Sequence, residues 1–142
     1  MKKAYLLDTN IVSEFVKKAP SQQVLALYHA RQNLCAISAI TWQELLRGIR
    51  RMPDGKRKNN LQTFIENFEE NIEVIAYDKF AAGICGEIQS DAEKIGKPLP
   101  SYDSQIAATA ISNGMILVTR NTQDFTFMKE NNYLRLEDWF ST

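Results

Sequence analysis

The stretch YLLDTN, residues 5–10, decides the fold of this chain, because it leads from a short apolar segment directly to an acidic residue. Residues 4–8 are predicted to form a strand that ends at Asp8, and so short an apolar run is typical of a strand buried on both faces. Residues 10–17 and 22–31 follow with helical spacing, and Ser21 is a suitable N-cap for the second helix. A buried strand followed by helices predicts the first unit of an α/β fold.

The rest of the chain repeats this alternation of short strands and longer helices. Further strands are predicted at 34–37, 73–76, 115–119 and 133–136. The pattern therefore predicts a single α/β domain, 1–142, with three α/β/α layers and a central, mainly parallel sheet of four to five strands.

Capping residues and glycines predict where the helices begin and end. One helix is capped by Ser38 or Thr41 and runs to about Arg51, and others span 56–71 and about 121–129. Asp78 is expected to cap a helix that Gly96 ends, and Ser101 one that Gly114 closes. The apolar stripe expected on the helix after Asp78 is Phe80, Ile84, Ile88, Ala92 and Ile95.

Composition excludes several classes of protein. The chain has 142 residues, 44% of them apolar and 24% charged, which is typical of a globular domain. No apolar run approaches the roughly 18–20 residues of a membrane helix, and Asp8 interrupts the N-terminal stretch too early for a signal peptide. A cytoplasmic protein is expected. The 17 acidic and 17 basic residues cancel, so only local clustering can indicate nucleic-acid binding.

The few cysteines and the lone histidine narrow the possible chemistry. Cys35 and Cys85 form no CxxC pair, and reduced, buried thiols are expected. A single histidine, His29, excludes cleavage by a histidine pair and argues against a zinc site. No glycine-rich phosphate loop is present.

Four acidic residues map to the edge where ligands bind in open parallel sheets, outside the carboxyl ends of the strands. Asp8 ends the first strand, and Glu44 lies in the helix after the second. Asp103 is in the first turn of the helix before the fourth strand, and Asp124 follows that strand closely.

Each acid alone has an ordinary structural explanation. Asp8 can cap a helix, Glu44 can close a capping box with Thr41, and Asp103 and Asp124 can favour helix N-termini. Together they would repel one another, by about 4 kcal/mol for a pair at ~4 Å in an effective dielectric of about 20. A divalent cation relieves such repulsion, and carboxylate ligands without imidazole or thiolate select Mg²⁺ or Mn²⁺.

Several segments in order resemble the PIN-domain nucleases, and most closely the VapC-type toxins of bacterial toxin–antitoxin pairs. The resemblance spans nearly the whole chain. It is carried by residues 7–10, by Ser38 through Leu45 with Gly48, and by residues 102–108, 117–125 and 134–139. It implies a twisted parallel sheet between helices.

The resemblance also implies a site and an activity. Asp8 and Asp103 would be the principal metal ligands, Glu44 would complete the shell directly or through water, and Asn10 and Thr119 would support them. Either Asp124 or Asn121 would be the fourth residue that faces the metal. The implied activity is endoribonuclease cleavage, in which an activated water attacks the phosphate and the 3′ oxygen leaves. Implied partners are RNA, a small antitoxin that blocks the site, and a second copy of the chain in a homodimer that joins larger complexes.

A local excess of basic residues gives a second, independent indication of RNA binding. Residues 47–58 contain six cations and one acid, and Arg120 lies beside the acidic edge. A solvated helix–turn surface explains the same run equally simply. The candidates are Arg47, Arg50, Arg51, Lys56, Arg57, Lys58 and Arg120.

Two other functions compete with the ribonuclease. One is a PIN-like module that binds nucleic acid or a protein without cutting, although the retained acids argue against it. The other is a metal-dependent DNA nuclease, for which the chain is short.

Overall fold

The computed structural model describes residues 2–131 and 133–141, and Met1, Asn132 and Thr142 lie outside the described residues. Five strands form one entirely parallel sheet, in the spatial order β3-β2-β1-β4-β5. The strands are β1 (Tyr5–Leu7), β2 (Cys35–Ser38), β3 (Glu73–Ile75), β4 (Ile116–Val118) and β5 (Arg135–Glu137). The predicted fold class is confirmed.

The strand order reverses beside β1. The chain moves from β1 outward through β2 to β3, and then returns to place β4 and β5 on the other side of β1. Leu7 pairs with Val118 in register, and the Asp8 amide donates to the Val118 carbonyl at 2.9 Å. The carboxyl ends of β1 and β4 therefore border the crevice that doubly wound sheets use for ligands.

Helices cover both faces of the sheet, as predicted. Leu7 points into a core with side chains of α1 to α4, whereas its neighbour Leu6 points into a second core built mainly by α5, α6 and α7. This alternation is the period of a strand buried on both faces. The helices are α1 (Thr9–Glu14), α2 (Gln22–Arg31), α3 (Ala39–Arg50), α4 (Lys56–Glu70), α5 (Lys79–Lys94), α6 (Ser101–Ser112) and α7 (Thr126–Glu130), with short 3₁₀ helices at Gln32–Leu34 and Thr122–Phe125.

The predicted caps are confirmed with one exception. Ser21, Ser38 and Asp78 accept the expected backbone hydrogen bonds at the starts of α2, α3 and α5. Ser101, in contrast, is the first helical residue, and Pro100 occupies the cap position. Pro100 has no N–H to leave unsatisfied and its carbonyl accepts from the Ser104 amide at 3.0 Å, so the helix begins one residue earlier than predicted.

The predicted apolar stripe on α5 is only partly buried. Ile88 and Ala92 are fully buried, but Phe80 is 73% exposed and Ile95 is 59% exposed. A helix of 16 residues is about 24 Å long, whereas strands of three or four residues extend for only about 10–13 Å. The exposed positions are at the two ends of this helix, where a sheet of short strands offers the least cover. Gly96 ends this helix with φ of +73°, as predicted.

Two C-terminal predictions differ from the structure in detail. The helix expected at about 121–129 is a 3₁₀ helix followed by α7, and the strand expected at 133–136 is Arg135–Glu137. Among the described residues, no helix has the length and apolar composition needed to cross a membrane.

Candidate active site

Asp8 is the centre of the candidate site and also the N-cap of α1. Its Oδ1 accepts from the Thr9 amide at 2.8 Å. Its Oδ2 accepts from the Thr119 hydroxyl at 2.8 Å and from Asn10 Nδ2 at 3.2 Å. The carboxylate is 7% exposed and is held in one orientation from three sides. Asp8 can therefore cap α1 and still belong to the candidate site.

Asn10 and Thr119 connect α1 to the end of β4, although they are far apart in the sequence. Asn10 Oδ1 accepts from the Arg120 amide at 3.2 Å, and Thr119 Oγ1 accepts from the Asn121 amide at 3.1 Å. The two side chains also lie 3.4 Å apart, from Asn10 Nδ2 to Thr119 Oγ1. Both predicted supporting residues therefore contact Asp8 and fix the loop that carries Asn121.

Glu44 reaches the same region from α3. Its Oε1 accepts from the Thr9 hydroxyl at 2.9 Å. The capping box considered for Thr41 does not form, because Ser38 caps α3 by accepting from the Thr41 amide at 3.0 Å. Sequence analysis did not assign Thr9 to the site, although its place beside Asp8 at the start of a helix was a usable signal.

Asp103 completes a polar pocket of about 370 Å³ at the switch point of the sheet. Asp103 lies in the first turn of α6, and Asn121 lies on the loop after β4. The pocket is lined by Asp8, Thr9, Asn10, Ser13, Lys17, Glu44, Asp103 and Asn121, and is called the acidic pocket below.

Asp124 lies just beyond the acidic pocket. It lines an adjoining cleft of about 460 Å³ together with Arg120, Asn121 and Asp138. Its charge nevertheless acts on both Asp8 and Asp103, whose pKa values it raises. Asn121 lines both cavities, so the two candidates for the fourth position stand side by side.

The pKa values show that these carboxylates are poorly compensated. The pKa of Asp103 is raised to about 6, first by burial and then by the charges of Asp8, Asp124 and Glu44. Burial also raises the pKa of Asp8, although hydrogen bonds from Thr119, Thr9 and Asn10 oppose the change. These shifts indicate mutual repulsion that a cation would relieve.

Glu44 shows the same balance in a milder form. Burial is the main reason that its pKa is raised, and the Asp8 charge adds to this rise. The Thr9 hydrogen bond and the charge of Arg47 oppose it.

The donor set of the acidic pocket fits a hard divalent cation. Its lining offers carboxylate, amide and hydroxyl oxygens, and no imidazole or thiolate is present among the described lining residues. Within 2–131 and 133–141, no three acidic, histidine or cysteine side chains are grouped closely enough to hold an ion together. Mg²⁺ commonly binds through only one or two carboxylates and keeps several waters, so the wider spacing suits it.

Glu14 is a buried acid that sequence analysis did not single out. It is 5% exposed, its Oε2 accepts from the Ser21 amide at 2.7 Å, and its Oε1 lies 2.8 Å from Lys17 Nζ. The bond from Lys17, followed by that from Ser21, lowers the pKa of this carboxyl. Glu14 follows the buried Ile11 by three residues, so helical spacing does place it on the inner face of α1, but a charged residue at the end of a short helix is normally expected to be exposed.

The predicted basic residues separate into groups. Lys56 and Arg57 face Lys17 and Lys18 across a cleft. Lys58 is engaged locally, with its Nζ 3.1 Å from Asp54 Oδ1 and 3.3 Å from the Arg50 carbonyl.

The arginines take several positions. Arg47 is close enough to Glu44 to lower its pKa, while Arg50 and Arg51 are exposed at the end of α3. The Arg120 guanidinium carbon lies 4.4 Å from the centre of the Phe140 ring beside Asp124.

The fold and site define a doubly wound α/β protein whose switch point carries a pocket lined by the carboxylates of Asp8, Glu44 and Asp103. The chain belongs to the PIN domain family, whose model matches residues 5–129. It is 36% identical over 135 residues to the tRNA(fMet)-specific endonuclease VapC of Shigella flexneri, covering 95% of this chain and 97% of that protein. It is 35% identical over 127 residues to toxin FitB of Neisseria gonorrhoeae, covering 84% and 89%.

Solved structures agree with this assignment. The FitAcB complex of Neisseria gonorrhoeae matches with a TM-score of 0.88 and 29% identity, over 97% of this chain and 99% of that chain. The DNA-bound VapBC complex of Salmonella typhimurium matches with a TM-score of 0.81 and 29% identity, over 96% and 98%.

Proposed function

We propose that this protein is a metal-dependent endoribonuclease and acts as the toxin of a toxin–antitoxin pair. The observation that carries the proposal is the gathering of Asp8, Glu44 and Asp103 in one pocket at the switch point, where the Asp103 pKa rises to about 6. The names of the relatives, which include VapC endonucleases and a toxin, support the same conclusion.

Asp8 and Asp103 would hold the ion, with Glu44 joining directly or through water. A bound Mg²⁺ or Mn²⁺ would supply Lewis acidity toward a phosphoryl oxygen and toward the attacking water. Thr119 and Asn10 fix Asp8 through its Oδ2, and the Thr9 hydroxyl fixes Glu44. These contacts preorganise the carboxylates, so that little reorientation is needed when RNA arrives.

Cleavage assays with purified protein test this function. The wild type should cut RNA in the presence of Mg²⁺ or Mn²⁺, and cleavage should stop when EDTA is added. DNA oligonucleotides of the same sequence should remain intact. Asp8→Asn and Asp103→Asn should each reduce the rate by at least about a hundredfold. Circular dichroism and melting temperature show whether the variants are folded. Full activity in either folded variant contradicts the assignment, and metal-independent RNA binding without any product supports a binding module instead.

The fourth position can be assigned by the metal requirement. If Asp124 completes the shell, Asp124→Asn should raise the Mg²⁺ concentration needed for half-maximal cleavage more than Asn121→Ala does. The reverse ranking assigns the role to Asn121, whose side chain lines the acidic pocket.

Initiator tRNA is the first substrate to test. Relatives from Shigella flexneri and Salmonella typhimurium, at 36% and 32% identity, are named tRNA(fMet)-specific endonucleases. We expect cleavage of tRNA(fMet) in preference to an elongator tRNA with the same metal and enzyme concentration. Mapping of RNA ends after induced expression, compared with Asp8→Asn, identifies the cut in cells.

The antitoxin would bind beside the acidic pocket. An apolar groove of about 280 Å³ opens there between α1, α3 and α4, and Thr9 and Glu44 line both cavities. Its apolar lining includes Val12, Leu45 and Phe64. A partner helix with apolar side chains would fill the groove and cover the entrance to the acids. Co-expression with the small protein encoded next to this chain should abolish cleavage and yield a stable complex.

The proposal also includes a homodimer and a cytoplasmic location, where RNA substrates are available. Light scattering of the purified chain and of its antitoxin complex tests the oligomeric state.

A further inference from the structure

A basic cleft lies next to the acidic pocket. It has a volume of about 830 Å³ and runs between the end of α1 and the start of α4. It is lined by Val16, Lys17, Lys18, Lys56, Arg57, Asn60 and Leu61, and is called the basic cleft below. Four cations from two distant segments of the chain thus face one space.

Positive charge in the basic cleft is largely uncompensated. No acidic residue is among the described residues that line it. Lys17 is paired with Glu14, yet it remains 54% exposed along its side chain. Lys18, Lys56 and Arg57 are exposed, and the part of the chain that the structure describes contains no ion pair to them. A surface of this kind attracts an anionic polymer.

Lys17 connects the two cavities, because it lines both the acidic pocket and the basic cleft. The buried carboxylate of Glu14 anchors its ammonium at this boundary. The cleft that adjoins the acidic pocket through Asn121 is different, since Asp124 and Asp138 line it with one described cation, Arg120. An RNA strand that leaves the acids is therefore attracted more strongly toward Lys17 than toward this second cleft.

We propose that the basic cleft binds the sugar–phosphate backbone of the RNA strand on one side of the scissile phosphate. The inference rests on the proposed ribonuclease function and adds to it a direction for the substrate. Lys17 takes the phosphates nearest the acidic pocket, and Lys18, Lys56 and Arg57 take those further along. Apolar contacts from Val16 and Leu61 suit the sugars, and no base-specific contact is required.

An acidic segment of a protein partner is the competing occupant. It would satisfy the same cations, and Val16 and Leu61 of the cleft also line the apolar groove assigned to the antitoxin. A protein segment would not require continuity with the acidic pocket, whereas Lys17 connects the cleft to the acids, and this connection favours RNA.

Fluorescence anisotropy in EDTA tests the proposal, because metal removal separates binding from cleavage. The triple variant Lys18→Gln, Lys56→Gln, Arg57→Gln is compared with Lys79→Gln, Lys94→Gln, Lys97→Gln. The second set removes the same charge from exposed positions on α5 and the loop after it, across the sheet from the cleft. Lys17 is left unchanged because its removal would leave buried Glu14 without its ion-pair partner. The probe is a short labelled single-stranded RNA over a range of salt concentrations.

The cleft variant should bind RNA about tenfold more weakly than wild type at low salt. Its plot of log Kd against log salt should become shallower by about two units for three lost phosphate contacts. The α5 variant should retain most of the affinity and the slope. Equal losses in the two variants, or an unchanged slope in the cleft variant, overturn the proposal. Weaker binding of an oligoglutamate peptide with unchanged RNA binding assigns the cleft to a protein partner instead.

The two proposals can fail separately. If the wild type cuts RNA with Mg²⁺ but the cleft variant binds and cuts normally, only the direction of the strand is wrong. If the wild type binds RNA through the basic cleft and never cuts it, the ribonuclease function is wrong. RNA binding by the basic cleft is then still supported, without a scissile phosphate beside it. Absence of any RNA binding by the wild type overturns the cleft.

Discussion

The short helix α1 has a buried carboxylate at each end, and the two have opposite properties. Asp8 at the N-terminal end is 7% exposed and has a raised pKa, whereas Glu14 at the C-terminal end is 5% exposed and has a lowered pKa. Glu14 has its own cation and a backbone amide. Asp8 has three hydrogen-bond donors, but its charged neighbour is another acid, Asp124.

The difference separates an acid that stabilises the fold from acids that bind a ligand. The charge of Glu14 is balanced within the protein by Lys17, and its Oε2 accepts from the Ser21 amide, while its Oε1 meets Lys17 as an ion pair and has no hydrogen-bond partner among the described residues. A group of carboxylates that raise one another's pKa is satisfied only when a proton or a cation from solution arrives. We therefore propose that the same helix carries one structural acid, Glu14, and one functional acid, Asp8, and mutations that affect the two ends should give opposite results.

Among variants that leave the carboxylates of the acidic pocket in place, the largest effect is expected when the support of Asp8 is removed. Thr119→Val deletes the 2.8 Å hydrogen bond to Asp8 Oδ2 and should reduce cleavage by roughly ten- to hundredfold, with a higher Mg²⁺ requirement. Thr109→Val is the matched control, because Thr109 is also fully buried but donates only to the Gln105 carbonyl within α6. Cleavage rates of both variants are measured at several Mg²⁺ concentrations. Equal losses of rate in the two variants would mean that the Thr119 effect is structural.

Glu14→Ala should mainly affect stability. It leaves the Ser21 amide without its acceptor and removes the partner of Lys17, so the free energy of unfolding should fall by about 2 kcal/mol at pH 7. Since the Glu14 pKa is lowered in the fold, its stabilisation is present above the ordinary pKa of 4.5 and is lost as the pH falls through the folded value. The difference between variant and wild type should therefore shrink below pH 4. Urea denaturation at pH 7 and at a pH below 4 measures this difference in the free energy of unfolding. Glu69→Ala, at an exposed position, is the control.

Asp103→Asn should instead stabilise the metal-free protein while it abolishes cleavage. The folded pKa is about 6 and the ordinary pKa is 3.8, so ionisation of Asp103 favours the unfolded state as the pH rises between these values. Because Asp103 is only half-buried, solvent screening reduces the effect, and at pH 7.5 the variant should be more stable by about 1 kcal/mol, or about 3 °C in Tm, with a smaller gain at pH 4.5. Thermal melts in EDTA measure the gain, and Glu69→Gln controls for lost surface charge. A gain of equal size at both pH values would mean that ionisation of the buried Asp103 beside the other acids is not its cause.

Much of the site was predictable because the signals are local. Asp8 follows a buried strand, and the carboxyl ends of parallel strands meet at one edge, so Asp8, Glu44, Asp103 and Asp124 were expected at the same edge. The resemblance to the PIN-domain nucleases then indicated Asn10 and Thr119 as supporting residues. Less was predictable where spacing carries no signal, as for the Thr9 hydroxyl on Glu44 and the contact between Glu14 and Lys17.

The sequence by itself determined the alternation of strands and helices, most of the caps and the acids of the site. Periodicity and capping are properties of neighbouring residues, so a linear chain records them. Only the tertiary structure decided that Lys17 and Lys18 face Lys56 and Arg57, and that Phe80 and Ile95 at the two ends of α5 are exposed. Those outcomes depend on packing between segments some 40 residues apart and on the relative lengths of helices and strands, which no local pattern contains.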